Sequence, residues 1–253
     1  MKIDFTVQNK KRIVLLNKSD LAEDRETKKW IEYYKNNNVT AIACDANLGK
    51  GIKEILNQIE KSVEEETQKA ALKGRVKKNI RVVILGIPNV GKSSLINRLC
   101  NKKTTIVGNK PGVTKQKQWV RIADNIELLD TPGVLWPKFE SEDVGLKLAY
   151  TGSIKDDVIE IIEIGFNLLK YLIESYRPNV IQRYGITNEK IEEILGQEDL
   201  EYNEKIVMIM DEIGKKRGAL ISGGNIDQEK VARIILDDFR SGKLGNITLE
   251  IAP

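Results

Sequence analysis

Apolar and polar positions follow two regimes along this chain. In the first half, short apolar runs stop at polar loops: "RIVLL" (12–16), "VTAIAC" (39–44), "IRVVILG" (80–86), "WVRIA" (119–123) and "IELLD" (126–130). Runs of this length bounded by turn residues predict buried strands, the last two paired around Asp124 and Asn125. Between them, apolar spacing of about 3.6 residues predicts helices at 22–36, 51–66 and over "KSSLINRLC" (92–100). A charged connector at 67–79 and a polar loop at 101–118 separate these elements. Beyond 137 the strand signals stop. Helical patterns then occupy 143–150, 158–176, 188–195, 200–217 and 227–241, punctuated by Pro178, Gly196, Gly218, Gly223 and Gly224. The pattern predicts an α/β domain over 1–150 and a small all-helical domain over 151–253.

Charge sharpens that division. Residues 1–150 carry 28 Lys and Arg against 18 Asp and Glu, net +10; residues 151–253 carry 13 against 19, net −6. A basic half suits a polyanionic partner, and an acidic half another task. The two cysteines, Cys44 and Cys100, have neither disulfide nor zinc spacing. With no histidine in the sequence, Ser-His and Cys-His chemistry is excluded. The most apolar segment, 158–176, contains Glu160, Glu163, Lys170 and Glu174. A lipid-spanning helix needs about 20 nearly uncharged residues, so a core helix in a soluble protein is expected.

The candidate chemistry lies at "GIPNVGKSSLINRL" (86–99), which matches G-x-x-x-x-G-K-[ST] after a strand and before a helix. Backbone N–H groups of Asn89, Val90, Gly91, Lys92, Ser93 and Ser94 are expected around a di- or triphosphate, at the positive end of the helix. Lys92 is expected at the β/γ-phosphates and Ser93 on Mg²⁺. Asp130 ends an apolar strand as a Mg²⁺-holding acid does, and the Gly133 N–H in "DTPG" is expected to sense the γ-phosphate. Thr114, in "PGVT", is expected to close on Mg²⁺ when triphosphate is bound; an ordinary loop threonine is the alternative.

"NKSD" (17–20) ends a strand, where N-K-x-D reads guanine. Asp20 accepts from the base N1–H and amine, which adenine cannot offer, while Asn17 and Lys18 brace the loop and ring. "CDANLGKG" (44–51) is expected to bring Asp45 and the Ala46 N–H to the base. The four motifs together indicate GTP rather than ATP. Their order is unusual, because the base reader precedes the phosphate loop by some seventy residues. Circular permutation explains it, domain termini being close together at surfaces. One consequence is expected: the DxxG switch leads directly into the C-terminal helices, so nucleotide state can move them.

The permuted order with "GIPNVGKSSLINRL", "PGVT", "DTPGVLWPKF" and "TGSIKDD" resembles the circularly permuted ribosome-biogenesis GTPase A family over nearly the whole chain. The resemblance implies a cytoplasmic, Mg²⁺-dependent GTP hydrolase acting in large-subunit assembly, with a C-terminal RNA-binding helical domain. Its implied partners are GTP or GDP and the large-subunit precursor, with no membrane and a monomeric state.

Two departures from the family matter. Val134 stands where Ras-like switches keep a water-orienting Gln, so intrinsic hydrolysis is expected to be slow. The family supplies a histidine from an N-terminal segment, and this sequence has none. The strand preceding N-K-x-D is missing too, and "KIDFTV" (2–7) cannot replace it. Only "QNKK" separates it from the next strand, and parallel neighbours need a crossover of about a dozen residues. An irregular or helical lead-in over 1–9, a central sheet short of one strand, and a fragment, mis-started reading or truncated variant are therefore expected. A GTP/GDP-gated binding module with little hydrolysis is the alternative function.

Asn89 is a candidate K⁺ ligand, the ion standing in for an arginine finger; a loop-bracing role is the alternative. Lys102, Lys103, Lys110, Lys115, Lys117 and Arg121 form an acid-free basic stretch suited to RNA phosphates, and Trp119 is there to stack or to pack. "KKRGALISGGN" (215–225) is a second candidate backbone contact, or a helix end matched to its dipole.

Overall fold

The computed structural model describes residues 10–64, 67–68, 72, 79–100, 119–129, 141–154, 156 and 160–253. It divides into two compact units, Met1–Leu135 with Glu250–Pro253, and Trp136–Leu249.

The first unit is α/β. Its elements are β1 (Ile13–Leu16), α1 (Asp24–Asn36), β2 (Thr40–Ala43), α2 (Ile52–Ser62), β3 (Ile80–Val83), α3 (Lys92–Leu99), β4 (Trp119–Ala123) and β5 (Ile126–Leu129). β1 and β2 run parallel, Ile13 opposite Thr40. β3 and β5 also run parallel, and β4 returns antiparallel on β5 with a shift between Arg121 and Ala123. The predicted β4–β5 hairpin is thus present. Among the described residues β1 and β3 belong to different ladders. The core gathers Ile42, Cys44, Ile55, Ile59, Leu95, Leu99 and Ile126, so both helices after glycine-rich loops press apolar stripes onto the strands. Trp119 is exposed on its strand, with the Arg81 guanidinium 4.9 Å over its ring. Trp30 of α1 meets Tyr33 and Tyr34 and donates its indole N–H to the Glu250 carbonyl at 2.9 Å, which ties the returning C-terminal residues to this unit.

The second unit is helical: α4 (Glu142–Tyr150), α5 (Ile161–Ser175), α6 (Arg177–Tyr184), α7 (Asn188–Leu195), α8 (Tyr202–Arg217) and α9 (Gln228–Arg240). Side-chain caps set several of these boundaries. Ser141, Thr187 and Asp227 side chains accept from Val144, Lys190 and Lys230 N–H groups. Glu201 and Glu204 form a capping box, and Gly218 closes α8 at φ 62°. The core is Leu168, Leu169, Leu172, Ile191, Ile206, Ile209, Ile213, Val231 and Ile235, all fully buried. Gly165 lets α5 approach α9: a Cβ there would lie 2.6 Å from Ala232 Cβ.

Two expectations are corrected. The boundary expected at 150 falls after Leu135 instead, because α4 buries Ala149 and Tyr150 in the helical core. No helix was expected over 177–184, yet Pro178, expected as punctuation between helices, lies in the first turn of α6, where its missing N–H removes no intrahelical bond. The end of α4 is fixed by Arg240, which donates to Tyr150 O (2.9 Å), Ala149 O (2.8 Å) and both oxygens of Asp156 (2.9 and 2.8 Å). Arg183 pairs in the same bidentate way with buried Asp238.

Candidate nucleotide-binding site

The phosphate loop follows β3 and opens α3, as its sequence context predicts. Asn89 (φ 59°) and Gly91 (φ 90°) are left-handed, and residues of this kind turn backbone N–H groups toward an anion. The Lys92 ammonium donates to the Gly86 and Ile87 carbonyls at 2.8 and 2.7 Å, so the side chain lies along its own loop. Ser93 is exposed and Ser94 half-buried in the first turn of α3.

N-K-S-D leaves the end of β1. Lys18 is left-handed (φ 56°), Leu21 N donates to Lys18 O at 3.0 Å, and Asp20 is exposed. Asn17 joins this motif to two others. Its Nδ2 donates to Val90 O in the phosphate loop at 2.7 Å, and its Oδ1 accepts the Ala46 N–H at 3.1 Å. Contact is close enough that a Cβ on Gly91 would lie 2.3 Å from Asn17 Nδ2. Beneath it, the buried Cys44 thiol faces Asn17 Oδ1 at 3.7 Å. Burial, and then the Asp45 charge, push that thiol up to about 11, so it stays protonated at neutral pH.

Two candidate residues of the loop after β2 have partners within the fold. Asp45, expected at the base, is buried, and its Oδ1 accepts from the Asn47 and Leu48 N–H groups at 2.8 and 3.0 Å. It shapes the turn. The Ala46 N–H, expected at the base oxygen, is donated to Asn17. A third residue escaped sequence reasoning: Arg98 of α3 donates Nε to Ala46 O at 3.2 Å and Nη2 to Asn47 O. Only long-range pairing reveals it, since its partners lie 52 and 51 positions away. Thr114, Asp130, Gly133 and Val134 lie outside the described residues, as do residues 1–9 and most of the basic loop.

In the second unit, the basic end of α8 is largely engaged. Arg217 sits 5.2 Å from the Tyr184 ring and donates to Arg183 O at 2.5 Å, and Lys215 pairs with Glu212 at 2.7 Å. Among the described residues no helix is long and apolar enough to cross a membrane.

A strand–loop–helix phosphate cradle, joined by one asparagine to an upstream N-K-S-D, defines a P-loop GTPase of permuted order. The comparisons agree. The 50S ribosome-binding GTPase family model matches residues 81–211. The chain is 43% identical to ribosome biogenesis GTPase A of Priestia megaterium, over 98% of this chain and 82% of that protein. It is 30% identical to the Thermotoga maritima protein of that name, over 98% and 78%. Among solved structures it resembles GDP-bound TM YlqF with a TM-score of 0.62 and 26% identity, covering 96% of this chain and 85% of that one. GNP-bound YlqF from T. maritima gives 0.61 and 27%, covering 96% and 82%. The chain belongs to the ribosome biogenesis GTPase A family, and it is a GTPase.

Proposed function

We propose that this GTPase acts in the cytoplasm on the precursor of the large ribosomal subunit, with GTP gating its engagement of rRNA and ribosomal proteins. The observation that carries the nucleotide reading is the pair of Asn17 bonds, which supports one pocket built from N-K-S-D, the loop after β2 and the phosphate loop. The names of the relatives support the ribosomal assignment.

In this reading the 89–94 backbone and Lys92 bind the phosphates, and Asp20 reads guanine. Lys92 would exchange its two loop carbonyls for phosphate oxygens, which match its charge better. The donor set suits Mg²⁺, a hard cation preferring oxygen. Ser93 Oγ supplies one such oxygen, and Asp130 and Thr114 complete the assignment from outside the described residues. Among the described residues there is no cluster of three or more His, Cys, Asp or Glu that would hold a metal without nucleotide. Mg²⁺, when bound, neutralises charge developing on the β- and γ-phosphate oxygens. The Gly133 N–H senses the γ-phosphate, and Asn89 is the K⁺ ligand if the monovalent ion assists.

Val134 cannot orient water through a side-chain hydrogen bond, so turnover depends on the ribosomal partner. The test is GTP turnover with and without purified large-subunit precursor, using small subunits as the control. Stimulation by the large-subunit precursor alone is expected, and equal turnover in all three conditions would refute the reading. The same valine favours a second reading, a GTP-gated binding module; tight GTP-dependent binding of the protein to the precursor without turnover would select it.

A further inference from the structure

We propose that Arg98 is a positioning residue for base recognition, stapling the loop after β2 to the helix that carries the phosphate loop. The proposal rests on the reading of that loop as part of the guanine pocket.

The loop's peptide groups are fixed from two sides. Toward N-K-S-D, the Ala46 N–H is held by Asn17 Oδ1; toward α3, the Ala46 and Asn47 carbonyls are held by the Arg98 guanidinium. Gly49 makes the approach possible. It is left-handed (φ 83°), and a Cβ there would lie 3.3 Å from Arg98 Nε. Asp45 completes the turn from within by accepting the Asn47 and Leu48 N–H groups.

The geometry of α3 gives the staple its meaning. Lys92 and Ser93 open the helix at the phosphate end, and Arg98 lies in its last turn. Six residues of helix span about 9 Å, so one rigid element sets the spacing between phosphate and base subsites. A planar guanidinium addresses two neighbouring carbonyls at once, which an ammonium does less well. Because Arg98 is exposed, water competes with it and its contribution is modest.

The test compares full-length wild type with Arg98→Ala and Arg98→Lys, measuring Mg²⁺-GDP and Mg²⁺-ADP affinity by calorimetry and amide exchange over 45–50 and 86–91 in the GDP complex. Arg98→Ala is expected to weaken GDP about three- to ten-fold, to leave ADP affinity unchanged, and to speed exchange only over 45–50. Arg98→Lys should fall between wild type and Arg98→Ala. Parallel losses of GDP and ADP, or unchanged affinities and exchange in both variants, would overturn the staple. A wild type that binds GDP and ADP equally would instead overturn the base-pocket reading beneath it.

Discussion

Asn17 donates its amide to the Val90 carbonyl across 73 positions of sequence, at 2.7 Å. That bond joins the two motifs whose order is reversed by permutation. Asn17→Ala leaves the Val90 carbonyl and the Ala46 N–H without this partner. GDP affinity should fall about 10- to 100-fold, since each lost bond costs on the order of 1 kcal/mol or more. Calorimetry against GDP measures it, and a loss below two-fold would mean that the bridge does not organise the pocket.

Asp20 is the residue assigned to the guanine amine. Asp20→Asn presents an amide instead of a carboxylate and so suits xanthine, which carries a carbonyl there. GDP should weaken by about 100-fold or more while XDP gains affinity, because a site built on one hydrogen bond rejects the base that cannot make it. Competition between the two diphosphates reads the switch directly.

Gly91 is constrained twice, by φ 90° and by the nearness of Asn17. Gly91→Ala is expected to cost about 1–3 kcal/mol of stability in the first unit. It should also abolish the thermal stabilisation that GDP gives wild type. Melting curves with and without nucleotide separate the two effects.

Asp156 is held below the usual carboxylate range, first by the hydrogen bonds from Arg240 and then, against the opposing effect of burial, by the Arg240 and Arg233 charges. A depressed folded-state pKa adds stability above the unfolded value, about 3.9, and that stability is lost as pH falls toward the depressed one. Asp156→Asn should therefore destabilise the helical unit at pH 7. Its deficit against wild type should shrink below about pH 4, as urea midpoints across pH would show. A deficit independent of pH would contradict the assigned cause.

Gly165→Leu should be worse than Asp156→Asn, because α9 has no room for it. The overlap with Ala232 is expected to separate α5 from α9 and cost about 3 kcal/mol or more. Loss of cooperative unfolding in the helical unit, with nucleotide binding retained by the first, is the signature.

Much of this architecture was legible because local signals agreed with the fold. The apolar runs marked the strands, the β4–β5 hairpin followed its Asp124–Asn125 turn, and the 3.6-residue apolar spacing after Gly51 marked α2. What stayed hidden depended on partners distant in sequence. Arg98 reads as an ordinary exposed cation until the loop at 46–47 is folded against it. Asp45 reads as a base contact until its burial turns the carboxylate onto its own loop. Helix α6 was concealed by Pro178, whose effect depends entirely on whether it stands in the first turn or beyond it. The boundary at Leu135 followed from the tertiary burial of Ala149 and Tyr150, which charge and composition do not encode.

The contact between Trp30 and Glu250 makes the polypeptide a closed circuit: out of the GTPase unit after Leu135, through the helices, and back at its last residues. Both crossings of that circuit are covalent, and the Trp30–Glu250 bond is a clasp within the first unit that holds the returning residues. Shortening the chain to Leu249 would open the clasp without removing anything from either core, and the emission of Trp30 would register its release.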